Sequence, residues 1–293
     1  MKIFAVLFAF AALPLRAMDL TALGPERPFH DPGIAAAPAN VGRPIANEDG
    51  YLLLFNRVKS SVSFEPLRMM QLDMAGRPLA QWELGTAADL FPETIGVRTA
   101  SGTYVVNWTD LSNQETLAFL APNGRDIVRQ LSFPRLHYFA ALDCGVDRCV
   151  GATNVDGVVE LYAFSFDGRQ LAGPFPFSRE AGSVAIVAEG GVFRLLWSDR
   201  GGVHVTAIDG ALRRFETVDL AASGSAVAAA WNLRPTYFFV DGKDVKAVLP
   251  GQPPKTVAYV DAADLGTIDA AWNGTEFLVL IHAFVSTSVS GFE

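Results

Sequence analysis

The 293-residue sequence predicts an all-β chain, a β-propeller of six four-stranded antiparallel blades, and three observations carry that reading. Short runs rich in Val, Phe, Tyr, Leu and Trp alternate with glycine-bearing turns, and helix signatures are almost missing. A pair of hairpin elements recurs along the whole chain. Each recurrence takes 41 to 50 residues for four strands, which is the dimension of a propeller blade.

The first residues read as a targeting segment. Lys2 precedes an apolar run from Ile3 to Leu15, followed by Arg16 and Ala17. A short basic start, about a dozen apolar residues and a small terminal residue are the pattern of a secretory signal peptide, with cleavage expected after Ala17. The run is shorter than the about 20 residues of a spanning helix, and charges, glycines and prolines interrupt every later apolar stretch. The expected organisation is therefore a signal peptide over 1–17 and a single β-propeller domain over 18–293, with no membrane span in the mature chain. The full chain carries a formal charge of −8, and loss of Lys2 and Arg16 leaves 21 basic against 31 acidic residues. An acidic chain without a Lys/Arg cluster argues against nucleic acid as a partner.

The repeats follow in order. The first element of each unit is a strand of small residues, a polar or glycine turn, then a strongly apolar strand. It appears as Ile45-Ala46 with Tyr51 to Phe55, and as Ile95 to Val97 with Tyr104 to Trp108. It returns from Phe139 through Ala152, then as Val184 to Val187 with Val192 to Trp197. The last two copies are Ala228 to Asn232 with Tyr237 to Val240, and Ala270 to Gly274 with Phe277 to Ile281. A second hairpin follows in each of the first five units, with turns at Gly76, Gly124, Gly168, Gly210 and Gly251. Small residues suit the innermost strand, where blades converge on the axis; bulky residues suit the next strand, where sheets about 10 Å apart need filling. The sixth unit ends at Glu293 without room for a fourth strand. Leu20 to Leu23, extending toward Phe29, is expected to supply it as the outer strand of the last blade, which would also remove an exposed edge.

Cys144 and Cys149 flank Gly145-Val146-Asp147-Arg148. Facing positions across a hairpin fall within disulfide reach, and an exported chain permits the bond. Two cysteines alone are too few for a thiolate metal site, so a structural disulfide is expected.

The stretches Ala270-Ala271-Trp272-Asn273-Gly274-Thr275-Glu276-Phe277-Leu278-Val279 and Arg194-Leu195-Leu196-Trp197-Ser198-Asp199 resemble the repeats of secreted bacterial β-propeller proteins. Those repeats carry a Trp-Asn-Gly turn, a Leu-Val-Val-Trp strand and a later Leu-Asp-x-x-Gly turn. The resemblance spans nearly the whole mature chain, with departures. Unit three lacks the tryptophan of the second strand, and unit five has Pro235 in its turn. It implies architecture and an exported location, not an activity, because proteins of this kind share none.

Candidate site residues come from the recurrence itself. A carboxylate follows the second strand of four units, as Asp110, Asp156, Asp199 and Asp241, spaced 46, 43 and 42 residues. Arg200 and His137 join them as neighbouring polar groups. Together they could line one face and hold a polar ligand. Equally, each Asp could cap its own turn by accepting from nearby backbone N–H groups, since a repeat reproduces such a device in every copy. Four scattered histidines lack metal-ligand spacing, and no nucleophile elbow, phosphate loop or His-Glu-x-x-His motif occurs, so neither a metal nor a cofactor is expected. The leading reading is an exported, periplasmic or extracellular, monomeric and non-enzymatic module that binds a protein or glycan ligand. The competing reading is a glycan-acting hydrolase or lyase. Two or three carboxylates converging with an Arg or an aromatic ring at the axial mouth would favour the enzyme; acids turned outward around the rim would favour the binder.

Overall fold

The inner strands of the blades have two apolar faces, and alternate residues serve different cores, while the outermost strands, such as Arg214–Ala221, are largely exposed. Leu52 and Leu54 pack on one side of their strand, Tyr51, Leu53 and Phe55 on the other. Strands buried on both faces read as continuous apolar runs, which is why the sequence shows runs more than alternation. The computed structural model describes residues 39–284 except 42–44, 48, 61–62, 65, 90–95, 111–113, 135–136, 156, 261–263 and 273–276.

The first blade contains β1 (Ala39–Val41), β2 (Ile45–Asn47), β3 (Gly50–Ser60), β4 (Ser63–Phe64), β5 (Pro66–Leu72) and β6 (Pro78–Asp89). Its four-stranded body is β2, β3, β5 and β6; β1 and β4 add short pairings to β3. The second blade is β7 (Gly96–Arg98), β8 (Tyr104–Asp110), β9 (Glu115–Leu120) and β10 (Ile127–Phe133). Pairing of Ala88 and Asp89 with Asp110 and Thr109 joins the first two blades into one ten-stranded sheet. The third is β11 (Tyr138–Cys144), β12 (Arg148–Val155), β13 (Val158–Ser165) and β14 (Gln170–Ser178). The fourth is β15 (Ser183–Glu189), β16 (Val192–Asp199), β17 (Gly202–Asp209) and β18 (Arg214–Ala221). The fifth is β19 (Val227–Asn232), β20 (Arg234–Asp241), β21 (Asp244–Val248) and β22 (Lys255–Tyr259), and the last sheet is β23 (Asp264–Trp272) with β24 (Phe277–Phe284). All pairing is antiparallel and follows chain order within each blade.

The chain is a β-propeller of four-stranded antiparallel blades. Five such blades are described instead of the expected six, and the sixth position holds only the two strands β23 and β24. The segment expected to complete it, Leu20 to Phe29, lies outside the described residues, as does the signal peptide. The inner strands nevertheless touch one another in sequence around the axis, β2, β7, β11, β15, β19, β23 and back to β2. Gly96 is required at one of these contacts. A Cβ there would stand 2.3 Å from Ile45 Cδ1, closer than packed atoms approach.

Apolar cores fill the junctions between successive sheets, including the junction between the last sheet and the first blade, where Ala271 packs with Tyr51, Leu53 and Phe55. Each fully buried Leu or Phe contributes about 1.5–3 kcal/mol, so the junctions hold the ring together. Polar staples add register. Trp82 Nε1 donates to Gly124 O of the second blade at 3.1 Å. Arg129 and Arg148 likewise donate to Asp167 O and Gly210 O of the following blades. Glu115, 2% exposed, accepts from Asn107 Nδ2, from Thr109 Oγ1 at 2.9 Å and from the Phe139 N–H of the third blade at 3.3 Å.

The second hairpin turns of the first and fourth blades share one device. Asp73 Oδ1 accepts from the Ala75 and Arg77 N–H groups, and Asp209 Oδ1 accepts from those of Ala211 and Arg213. Gly76 and Gly168 take the left-handed position, at φ 74° and 82°. In the fourth blade the sequence alignment on Gly210 is corrected: the matching residue is Leu212, at φ 66° and 1% exposed. Its burial in the junction core offsets the steric cost of a side chain there. Pro235 is likewise placed differently, in β20 opposite Trp231 and not in the turn.

Candidate functional site

Antiparallel hairpins give the propeller two unlike ends. One end carries the hairpins that leave the inner strands; the other carries the loops that leave the second strands. The recurrent acids belong to the second end, and the structure ties the two whose side chains are described to their own blade. Asp199 Oδ1 accepts from the Gly201 N–H at 2.6 Å and lies 3.0 Å from His204 Nε2. That hydrogen bond to His204, with the Gly201 N–H, holds the Asp199 carboxyl below the usual carboxylate range. His204 Nδ1 is 2.7 Å from Asp219 Oδ1, and its ring lies against Trp197 with centroids 4.4 Å apart. Burial works to lower the imidazole pKa, but the bonds to Asp219 and Asp199 outweigh it and the net direction is upward.

Asp241 accepts from Ser223 Oγ at 3.1 Å and is paired with Lys246 Nζ, whose hydrogen bond lowers the carboxyl pKa. Arg200 is exposed in the tight turn beyond Asp199. His137 precedes β11, half-buried, and its N–H donates to Pro134 O at 3.2 Å. Asp110 closes β8, but its side chain lies outside the described residues, as does Asp156 entirely. Among the described residues, no hydrogen bond or ion pair joins one of these candidates to another. Asp199 caps its own turn through the Gly201 N–H, whereas Asp241 is held by the side chains of Ser223 and Lys246.

The hairpin Gly145 to Asp147 is closed by the expected disulfide. Cys144 and Cys149 face each other in register, and Gly145 N–H donates to Arg148 O at 2.8 Å.

The axis holds what sequence reading missed. A cavity of about 360 Å³ runs along it, lined by residues of all six inner strands and within the roughly 300–1,000 Å³ of small-ligand pockets. Most of its wall is small, with Ala46, Ala185, Ala188 and the run Ala228 to Ala230. Against that wall stand Arg98, Asp143, Asp269, Trp231 and Trp272. Asp269 is 1% exposed and Trp231 is 38% exposed. Asp143 Oδ2 accepts from the Ala188 N–H of the next blade at 2.6 Å, and Oδ1 from the Cys144 N–H at 2.8 Å. Burial pushes the Asp143 carboxyl up to about 6, although both backbone bonds favour the carboxylate.

Arg98, Asp143, Trp231 and Trp272 all sit in the last residues of their inner strands, at the end opposite Asp199 and Asp241. The hairpin tip beside Trp231 is Leu233, 84% exposed with φ 54°, a left-handed leucine with little burial to offset it. One signal in the sequence marked these positions: each puts a charge or a large ring directly after small or aliphatic residues near the end of its strand. Among the described residues no group of three His, Cys, Asp or Glu side chains is placed to hold a metal ion, and no helix is long and apolar enough to cross a membrane.

No family model matches the chain, and no curated protein matches it in sequence. Solved structures do match in shape. The six-bladed fungal lectin from Aleuria aurantia aligns at 14% identity over 84% of this chain and 88% of its own, with a TM-score of 0.53. The SapL1 lectin, solved with alpha methyl fucoside, aligns at 11% identity over 86% and 98%, with a TM-score of 0.53. AofleA from Arthrobotrys oligospora aligns at 9% identity over 86% and 81%, with a TM-score of 0.56. At such identities the likeness is one of fold, and this chain is a β-propeller similar in shape to these proteins.

Proposed function

We propose that this protein is an exported, monomeric glycan-binding module built as a six-bladed propeller. The observation that carries the reading is the axial cavity, where tryptophans and carboxylates share one rigid, alanine-walled space. An indole face covers the C–H face of a sugar, and carboxylates accept from its hydroxyls, with few polar groups fixing orientation in a mainly apolar pocket. Lectins among the similar folds support the ligand class. The ring of inner strands and the core at the last junction support six blades, with Leu20 to Leu23 completing the sixth. The disulfide supports an oxidising compartment, periplasmic or extracellular, reached through the signal peptide over 1–17. The repeats are of the secreted bacterial propeller type.

A glycan array read with the purified chain tests the binding reading, and a hydrolase and lyase panel run beside it tests the alternative. Binding without turnover is expected. Asp143, Asp269 and Arg98 all line the cavity, which keeps a glycan-acting hydrolase or lyase as the second reading, but both Asp143 oxygens accept from backbone N–H groups, as suits a fixed acceptor in a binding site. Turnover lost in Asp143→Asn would establish that reading and end the binding-only one. Deletion of residues 18–30 should lower the melting temperature sharply, and an unchanged value would remove the N-terminal strand from the ring.

A further inference from the structure

The arrangement around the cavity is two-sided. In the ring of inner strands β7 and β11 are neighbours, as are β19 and β23, and three steps around the ring separate β7 from β19 and β11 from β23. Arg98 of β7 therefore lies across the axis from Trp231 of β19, and Asp143 of β11 across from Trp272 of β23, all four at the same end of their strands. One wall carries Arg98 and Asp143; the facing wall carries Trp231, 38% exposed, and Trp272, whose ring also packs on Phe277 with centroids 4.5 Å apart. Asp269, farther from the mouth on β23, adds a second carboxylate to the floor.

We propose that the axial cavity takes one neutral pyranose ring, entering from the end that carries the inner hairpins. This deepens the glycan-binding reading and rests on it. A pyranose has an apolar C–H face for the tryptophan wall and equatorial hydroxyls for the charged wall. Hydroxyls both donate and accept, so one ring can bond to a carboxylate and a guanidinium together. A uronic or sialic acid would bring its carboxylate against two aspartates and one arginine, and like charges at such range repel. Acidic sugars are excluded on that ground.

Titration of intrinsic tryptophan fluorescence with methyl pyranosides tests this, with glucuronic acid as the acidic probe. Neutral glycosides should perturb the emission with a dissociation constant on the order of 1 mM, as expected for a single small ring. Glucuronic acid should bind at least about tenfold more weakly, a difference of about 1.4 kcal/mol. Trp231→Ala, at an exposed position, should weaken binding about tenfold with the circular dichroism spectrum unchanged, and Asp241→Ala should bind as the parent does. Equal binding of the acidic sugar, or an unchanged affinity in Trp231→Ala, would overturn the proposal. If the array shows glycan binding while Trp231→Ala is silent, the site is elsewhere and the glycan reading survives. If the array is blank, the glycan reading itself falls.

Discussion

The two ends of the propeller treat their acids in opposite ways. At the loops after the second strands, Asp199 and Asp241 are held below the ordinary carboxylate range by His204 and Lys246 of the same blade. At the inner hairpins, Asp143 stands in the axial wall, bonded across to the neighbouring blade and raised to about 6. The first kind recurs with the blade period; the second does not. A repeated residue answers a problem that every blade has, which is how to hold together the hairpin of its second and third strands. An unrepeated charge near the axis marks the place where one blade differs from its neighbours.

The contrast can be broken or sharpened by mutation. Glu115 is the extreme case of an unrepeated buried acid, and Glu115→Ala leaves the side chains of Asn107 and Thr109 and the Phe139 N–H without their acceptor. A loss of about 3 kcal/mol or more is expected in chemical denaturation, with Glu115→Gln intermediate. A loss below about 1 kcal/mol would mean that water replaces the carboxylate and that the second and third blades are joined by apolar packing alone.

Asp143 predicts a pH dependence of definite sign. Its carboxyl titrates near 3.9 when unfolded and near 6 in the folded chain, so the folded state binds the proton more tightly. Stability must fall as pH rises from about 4 to about 6, by up to about 3 kcal/mol. Asp143→Asn should flatten the profile across that window. A profile identical to the parent would place the titration elsewhere.

The disulfide clamps the hairpin that carries Asp143 into the axis. Replacing both Cys144 and Cys149 by Ser should cost about 2 kcal/mol, in keeping with the small loop it closes. The same variant should weaken binding to the axial cavity if that hairpin positions Asp143, whereas a stability loss with unchanged binding would separate the two roles.

The smallest effect belongs to the recurrent acids. His204 has a raised pKa, so the stabilisation from its bonds to Asp219 and Asp199 is complete below about 6.5 and is lost as pH rises through the folded value. His204→Gln should remove a dependence of less than about 1 kcal/mol, since Asp219 is largely exposed. Neither this change nor Asp241→Ala should alter binding at the axis.

Much of the fold was legible before any coordinates. The six small-to-bulky strand pairs fall on β2 with β3, β7 with β8, β11 with β12, β15 with β16, β19 with β20 and β23 with β24. The cysteine pair closes one of those hairpins as expected. The turns were legible only in part, because the left-handed position of the fourth blade passes from glycine to Leu212, whose burial compensates a conformation that local propensity disfavours. The site was the least legible. Periodicity drew attention to Asp110, Asp156, Asp199 and Asp241, whereas Arg98, Asp143 and Asp269 have no counterparts in register and Trp231 has only Trp272 of the next unit.

What the sequence determined by itself is everything that depends on near neighbours along the chain: strands, hairpins, the disulfide and the small residues of the inner row. Those follow from backbone geometry and from the alternation of faces, which repeat every blade. Only the tertiary structure decided which charges share a space. Residues separated by one to four blades meet at the axis because the ring brings its narrow strands together there, and a distance set by closure leaves no trace in local spacing.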